Sequence, residues 1–272
     1  MPFDGLLPAD YKPPLTGQPD LVQTVRIVEP SNYARTVFVE SLKAAGVAVD
    51  APAVQINPVA LLPSQAAYRT ADKVAQLTGL SYGQDAKLIL KISYNIGADT
   101  SLVLFGLTRH VNSLDAALGV ERRNLQASYG IPSSEYHFVD GSGGGDTTAT
   151  NDAVTRMLEG LARSSASPVF LEDLPVLGVD GSLGFVKDFR TDSSLAGATG
   201  NVRAKTGTYV GAGPSGGMEL KGQAFGGYVT TKSGRHLIYQ LVVNNVPIKN
   251  ILDITTVFQD EGKISAMLWR DY

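Results

Sequence analysis

Asn201–Asn245 reads NVRAKTGTYVGAGPSGGMELKGQAFGGYVTTKSGRHLIYQLVVNN. Val202–Ala204, Met218–Thr231 and His236–Asn244 within it are β-rich, and Lys232-Ser233-Gly234-Arg235 has the composition of a hairpin turn. An antiparallel sheet is therefore expected in the last third of the chain. Pro247 suits the first turn of a long terminal helix. Its apolar face is expected at Ile248, Ile251, Leu252, Thr255, Phe258, Ile264, Met267 and Leu268, laid against the sheet.

Upstream, the periodicity turns helical. Met1 to Pro19 holds five prolines and two glycines and reads as an irregular lead-in to about residue 21, followed by VQTVRIV (Val22–Val28), which alternates like a strand. Ser31 fits an N-cap for a helix carrying Ala34, Val37, Phe38, Leu42 and Ala45, stopped by Gly46. Ala51 to Pro63 is a Pro-rich loop. Further helices are expected over Asp85–Lys91, Ile96–Leu107 (apolar nearly all round, hence buried), Ser113–Ala127 and Asn151 to about Ala162. A short extended piece, Tyr136–Val139, precedes the last of these. The plan is α+β: a helical lobe at about 64–165, then a sheet with its terminal helix at about 200–272.

Composition removes several classes. The chain has 272 residues, 43% hydrophobic and only 18% charged, which argues against disorder. A net charge of −3 argues against nucleic acid as a partner. With no cysteine, disulfides, thiolate nucleophiles and iron–sulfur clusters are excluded, and the three histidines, His110, His137 and His236, are too far apart in sequence for a His-rich metal cluster. No cofactor or metal is expected. There is no apolar run of about 18 residues, so no transmembrane segment, and MPFDGLLPADYKPP lacks the regions of a signal peptide.

Two motifs carry chemistry. In Lys205-Thr206-Gly207-Thr208 the lysine supplies a positive field, the threonine hydroxyls can hold a carboxylate, and a glycine lets a substrate backbone approach the strand. Taken singly, the triplet also fits a plain strand end. Ser93-Tyr94-Asn95 places a hydroxyl and an amide two residues apart between two helices, an arrangement that also fits helix capping. Other patterns are weaker. Gly213-Pro214-Ser215-Gly216-Gly217 has the form G-x-S-x-G, but the residues beyond it read as a strand, whereas a nucleophile elbow needs a helix there. Asp140-Gly141-Ser142 and Asp180-Gly181-Ser182 read as turns.

The serine-x-asparagine and KTG motifs in this order resemble two of the three signatures of penicillin-interacting serine enzymes. LILKISYNIGAD (Leu88–Asp99), VDGSG (Val139–Gly143), LPVLGVDGSL (Leu174–Leu183), NVRAKTGT (Asn201–Thr208) and FGGYVTTKSGRHLIYQLVVNN (Phe225–Asn245) narrow the resemblance to class C low-molecular-mass penicillin-binding proteins, the D-alanyl-D-alanine carboxypeptidase/endopeptidase family. It covers nearly the whole chain from Val22. It implies a penicillin-recognising serine-hydrolase (β-lactamase/transpeptidase-like) fold, with an antiparallel sheet flanked by helices beside a helical lobe. It also implies acyl transfer on D-Ala-D-Ala stems of peptidoglycan, outside the cytoplasmic membrane. Carried over, Ser93 relays a proton to the leaving amine, Lys205 supports it, and Asn95 holds the substrate amide. Thr206 and Thr208 bind the terminal carboxylate, Gly207 admits the substrate backbone, and the Thr208 N–H forms half an oxyanion hole.

The departures are equally definite. No serine is followed by lysine three residues on, so the family's S-x-x-K nucleophile is missing. Thr70-Ala71-Asp72-Lys73 has the spacing with threonine in place of serine, in a segment where the family has an ordinary helix. The chain is expected to be the C-terminal, N-terminally truncated part of a transpeptidase-like domain over 22–272, and the face such a piece uncovers is expected to favour self-association. Three functions are open at this level: a D-Ala-D-Ala carboxypeptidase-like hydrolase, an ester hydrolase using Ser93 with Lys205, and a non-catalytic remnant that binds peptidoglycan or a partner.

Overall fold

The computed structural model describes residues 27–214 and 216–272. The lead-in and most of the Val22–Val28 segment lie outside the described residues, as does Ser215; Ile27 and Val28 are not in a strand. Two compact units divide the chain, one ending at Gly79 and one running from Leu80 to Tyr272.

The first unit is built around α1 (Pro30–Ala44). The helix begins one residue before Ser31, the expected cap, because Pro30 fixes a helical φ and needs no N–H bond at that position. Gly46, at φ 82°, ends it as expected. The Pro-rich loop folds back onto α1: the Thr36 hydroxyl donates to the Ala53 carbonyl at 2.9 Å, and Asn32 Oδ1 accepts the Asn57 N–H at 2.7 Å. Thr70–Asp72 forms one exposed 3-10 turn, and Lys73 Nζ turns to Gln76 Oε1, so no buried hydroxyl–amine pair forms there.

The second unit starts with α2 (Tyr82–Ile92), opened by a capping box between Ser81 and Gln84. The helices α3 (Asn95–Leu107) and α4 (Leu114–Tyr129) come next. Ser113 Oγ accepts the Ala116 N–H, and Gly130 closes α4 in the left-handed conformation, as its sequence demands. The apolar helix α3 is not buried all round: Leu102 and Gly106 are covered, while Ile96, Leu104 and Leu107 are exposed. It crosses α4 so closely that a Cβ on Gly106 would sit 2.8 Å from Ala117 Cβ. This contact takes one face of α3, and α2 and the Gly141 turn cover only its first turns.

A two-residue ribbon, β1 (Tyr136–His137) with β2 (Thr148–Ala149), leads into α5 (Asn151–Ala162) and α6 (Ser167–Asp173). The α5 cap is Thr150, whose hydroxyl accepts the Ala153 N–H, one residue ahead of the expected Asn151. The sheet then forms from β3 (Val202–Ala212), β4 (Met218–Thr230) and β5 (His236–Ile248), antiparallel and in that order. The Lys232–Arg235 turn joins β4 to β5, closed by Thr231 N–H to Arg235 O at 2.8 Å. Helix α7 (Leu252–Asp271) packs on one face of the sheet. On the other lie α5 and α6, with the Tyr228 hydroxyl donating to Leu158 O at 2.7 Å and the Phe170 ring edge-on to Tyr228.

Pro247 and the face of α7 require correction. Pro247 lies within β5, opposite Glu219 and one residue before the strand ends, and the helix begins at Leu252. Of the expected face, Ile248 and Phe258 are buried, whereas Ile251, Leu252, Ile264 and Met267 are exposed. The buried stripe is Ile254, Phe258, Gln259, Glu261, Gly262, Ser265 and Ala266. Small size admits its last three members: a Cβ on Gly262 would lie 2.2 Å from Val186 Cγ1, so only glycine permits this approach. The core beneath joins Leu177, Leu183, Val186, Phe189, Leu220, Phe225 and Phe258, with the last two rings 5.6 Å apart. Such ring pairs add about 0.5–1.5 kcal/mol beyond burial. Among the described residues, no helix is long and apolar enough to cross a membrane.

Candidate active site

A half-buried lysine with no acidic partner among the described residues has to find neutral acceptors. Alternation along β3 sends Val202, Ala204 and Thr206 into the α7 side of the sheet and Lys205 to the opposite face. There Lys205 Nζ donates to Ser93 Oγ at 2.6 Å and to the carbonyl of Thr206 at 2.5 Å. Burial holds the ammonium down to about 8, from 10.5. About a tenth of the lysine is then neutral at pH 7, against roughly one part in three thousand for an ordinary side chain.

Ser93 is delivered by a strained backbone. It caps the C-terminus of α2 in the left-handed conformation, φ 56°, where a non-glycine residue is uncommon. The chain reverses through Tyr94, and α3 starts at Asn95, which is exposed. The Ser93–Asn95 turn and the KTGT strand, 112 residues apart in sequence, thus meet at one place through Ser93 and Lys205.

The Asp180-Gly181-Ser182 turn, read from sequence as a turn only, is part of this place. Lys91 Nζ, at the end of α2, donates to both Asp180 oxygens at 2.7 and 2.8 Å and to Leu174 O at 2.6 Å. Asp180 Oδ1 also accepts the Val176 N–H. Gly181, at φ 58°, passes so close to Lys91 that a Cβ would lie 2.8 Å from the Lys91 carbonyl. The clasp delivers Ser182, whose Oγ accepts the Thr206 hydroxyl hydrogen at 2.7 Å. The sequence signal available was the lone Lys91 at the end of a mostly apolar helix, which calls for a buried partner.

The other two KTGT positions differ in what they face. Thr208 is exposed, yet its hydroxyl donates at 2.6 Å to Oε1 of Gln223, the residue opposite it on β4. Gly207 is exposed, and a Cβ added there would meet nothing within 4 Å. Its φ is not positive either. Nothing in the protein's own packing requires glycine at 207, so the bare stretch of strand is free for an approaching ligand. The second Asp-Gly-Ser turn is structural: Asp140 Oδ1 accepts the N–H groups of Ser142, Gly143 and Gly144, and Gly141 N–H is held by Asp99 of α3 at 2.9 Å.

The D-Ala-D-Ala carboxypeptidase 3 (S13) family profile matches residues 3–260. Comparison with curated protein sequences finds no match. Among solved structures, penicillin-binding protein 4 from Haemophilus influenzae, in complex with a β-lactam, superposes with a TM-score of 0.56 at 21% identity. The superposition covers 69% of this chain and 41% of that one. The predatory endopeptidase Bd0816 of Bdellovibrio bacteriovorus, in complex with immunity protein Bd3460, gives 0.52 at 18% identity, over 70% of this chain and 43% of that one. These likenesses show the penicillin-recognising serine-hydrolase fold. The chain spans about two fifths of the length of these structures.

Proposed function

Since the chain belongs to the D-Ala-D-Ala carboxypeptidase 3 (S13) family, we propose that its cleft takes the D-Ala-D-Ala end of a peptidoglycan stem as part of a serine-type hydrolase. The observation that carries this reading is the 2.6 Å contact between Ser93 and Lys205, with the lysine held near 8. A group titrating there exchanges protons at neutral pH, as transfer to a leaving amine requires. Asn95, two residues beyond Ser93, holds the substrate amide. Gly207 gives the peptide backbone room to lie along β3, and the exposed Thr208 offers a hydroxyl to its terminal carboxylate; Thr206, buried with its hydroxyl hydrogen on Ser182, joins it only by giving up that bond. No serine here has lysine three residues on, so the acylating serine of the S-x-x-K pattern is not among these residues.

The same geometry favours a second reading. A neutral Lys205 accepts the Ser93 proton directly, which makes Ser93 a nucleophile toward activated esters. Ester turnover should then rise as pH approaches about 8, where Lys205 loses its proton. A p-nitrophenyl ester assay on Ser93→Ala, Lys205→Ala and Ser215→Ala tests this. Activity should vanish in the first, fall about 100-fold or more in the second and persist in the third. Activity lost only with Ser215→Ala would move the nucleophile to the G-x-S-x-G loop. Labelling by fluorescent penicillin would point to a complete acylating site. Silence toward penicillin and fluorophosphonate alike, together with measurable D-alanyl-D-alanine binding, would leave a binding role.

A further inference from the structure

Behind Thr208 lies a polar group with too few partners. Gln223 is fully buried; its Oε1 takes the Thr208 hydroxyl hydrogen, and its Nε2 bonds to nothing among the described residues. Glu261 of α7 is 1% exposed, and neither of its carboxylate oxygens has a hydrogen-bond partner among them. The Gln223 amide is the neighbour that acts on this carboxyl, favouring its ionised form. Unsatisfied buried groups of this kind are uncommon and cost stability. Two of them close together, behind the exposed Thr208 of the KTGT strand, point to a movable set of bonds.

We propose that Gln223 is a positioning residue of the cleft: the orientation of its buried amide decides whether the Thr208 hydroxyl is held by the protein or released to donate to a ligand carboxylate, and the Glu261 carboxyl selects that orientation. In one arrangement Thr208 O–H donates to Oε1, and Nε2–H donates to ionised Glu261. In the other the amide is turned over. Protonated Glu261 donates to Oε1, Nε2–H donates to Thr208 Oγ, and the Thr208 hydrogen is free for the cleft. Each arrangement gives Gln223 Nε2 and one Glu261 oxygen a partner, and the second holds one more proton, on Glu261. Burial places the Glu261 midpoint near 8, so both arrangements lie within reach around neutral pH.

The surroundings leave this carboxyl as the selecting group. From β5, Tyr239 faces it, its hydroxyl bonded to Ser265 Oγ at 3.2 Å and its own ionisation pushed further up by burial. Ser265 donates to the Glu261 backbone carbonyl. On the segment packed against α7, Lys187, Asp188 and Arg190 are exposed, as is Asp260, the partner of Lys263 on α7 itself. Glu219 of β4 is paired with Lys221, while Arg203 and Lys205 of β3 bond to Leu171 O and Ser93.

The part concerning a ligand carboxylate rests on the reading of Thr208 proposed above, so the test has two arms. In the first, without ligand, the Gln223 side-chain amide and the Thr208 methyl are followed by NMR from about pH 6 to about pH 10. Both resonances should titrate with the Glu261 carboxyl, and the response should be absent in Glu261→Gln. Should that variant fail to fold, Thr208→Val, at an exposed position, must displace the Glu261 midpoint by about 0.5–1 pH unit, the size of one net hydrogen bond. Flat Gln223 and Thr208 resonances in the intact protein, or an unmoved midpoint in Thr208→Val, would overturn the proposal. In the second arm D-alanyl-D-alanine binding is measured across the same range. Affinity should weaken above the Glu261 midpoint by about 2- to 10-fold more in the intact protein than in Glu261→Gln, which still contains Lys205. Identical pH profiles would refute the link to the ligand. Absence of dipeptide binding at every pH, with the first arm positive, would support the relay and reject the carboxylate role of Thr208.

Discussion

Replacing Lys205 by methionine should stabilise the protein at pH 7. Burial lowers the lysine from 10.5 to about 8, so keeping it charged below pH 8 costs the fold at most about 3.5 kcal/mol, at about 1.4 kcal/mol per pH unit. Methionine has similar length and no charge to desolvate. The substitution forfeits the bonds to Ser93 Oγ and the Thr206 carbonyl, together worth about 1–2 kcal/mol. A net gain of at most about 1.5–2.5 kcal/mol remains. Proton counting gives the sign: between pH 8 and 10.5 the unfolded state binds more protons at this lysine than the folded state. Its contribution to stability therefore rises across that window and is level outside it. Urea denaturation of both proteins at several pH values isolates the effect, since groups shared by the two cancel in the difference. Lys205→Met should be ahead at pH 7, and its lead should shrink through the window. A variant less stable at pH 7, or a lead that does not change with pH, would refute the burial argument. If it holds, this lysine is present for its chemistry and against the interest of the fold.

Two further outcomes test the packing. Gly262→Val should destabilise by about 1–3 kcal/mol, read as a lower urea midpoint, because its Cβ would press against Val186; an unchanged midpoint would contradict the close approach of α7. Deleting Leu252–Tyr272 should give insoluble protein, since it uncovers Phe225, Leu220 and Val229 and removes Phe258, each worth roughly 1.5–3 kcal/mol when buried. A soluble, cooperatively unfolding product would count against the role of α7 as the lid of the core.

The sheet was legible because its rules are local. β-branched runs and a Lys-Ser-Gly-Arg turn specify a hairpin without reference to the rest of the chain, and β4 and β5 occur where the pattern puts them. Helix α4 was legible for the same reason, with Ser113 and Gly130 marking its ends. The face of α7 was not. Apolar periodicity assumes that the buried side is the greasy side, but Gly262, Ser265 and Ala266 are buried because they are small. Helix α3 misled in the opposite direction, since an apolar sequence does not say how many neighbours a helix has. At the site, the motifs brought Ser93 and Lys205 to attention, and their meeting results from strand alternation once the helical turn is in place. Ser182 escaped because its Asp-Gly-Ser pattern also reads as a plain turn, and Gln223 because it belongs to no motif. Ser182 is recruited by the Lys91–Asp180 clasp, and Gln223 by its register opposite Thr208.

The separation of the clasped residues along the chain bears on the order in which the molecule is made. The turn between β4 and β5 closes a loop of only a few residues, so that ribbon forms early. Lys91 reaches Asp180 across 89 positions and Lys205 reaches Ser93 across 112. Contacts of such high order form only after the intervening helices have condensed, and they add to the slowness of folding. The Ser93–Lys205 contact is therefore expected late, although the Ser93 cap itself is local to α2, and the cleft is complete only once sheet and helices have packed.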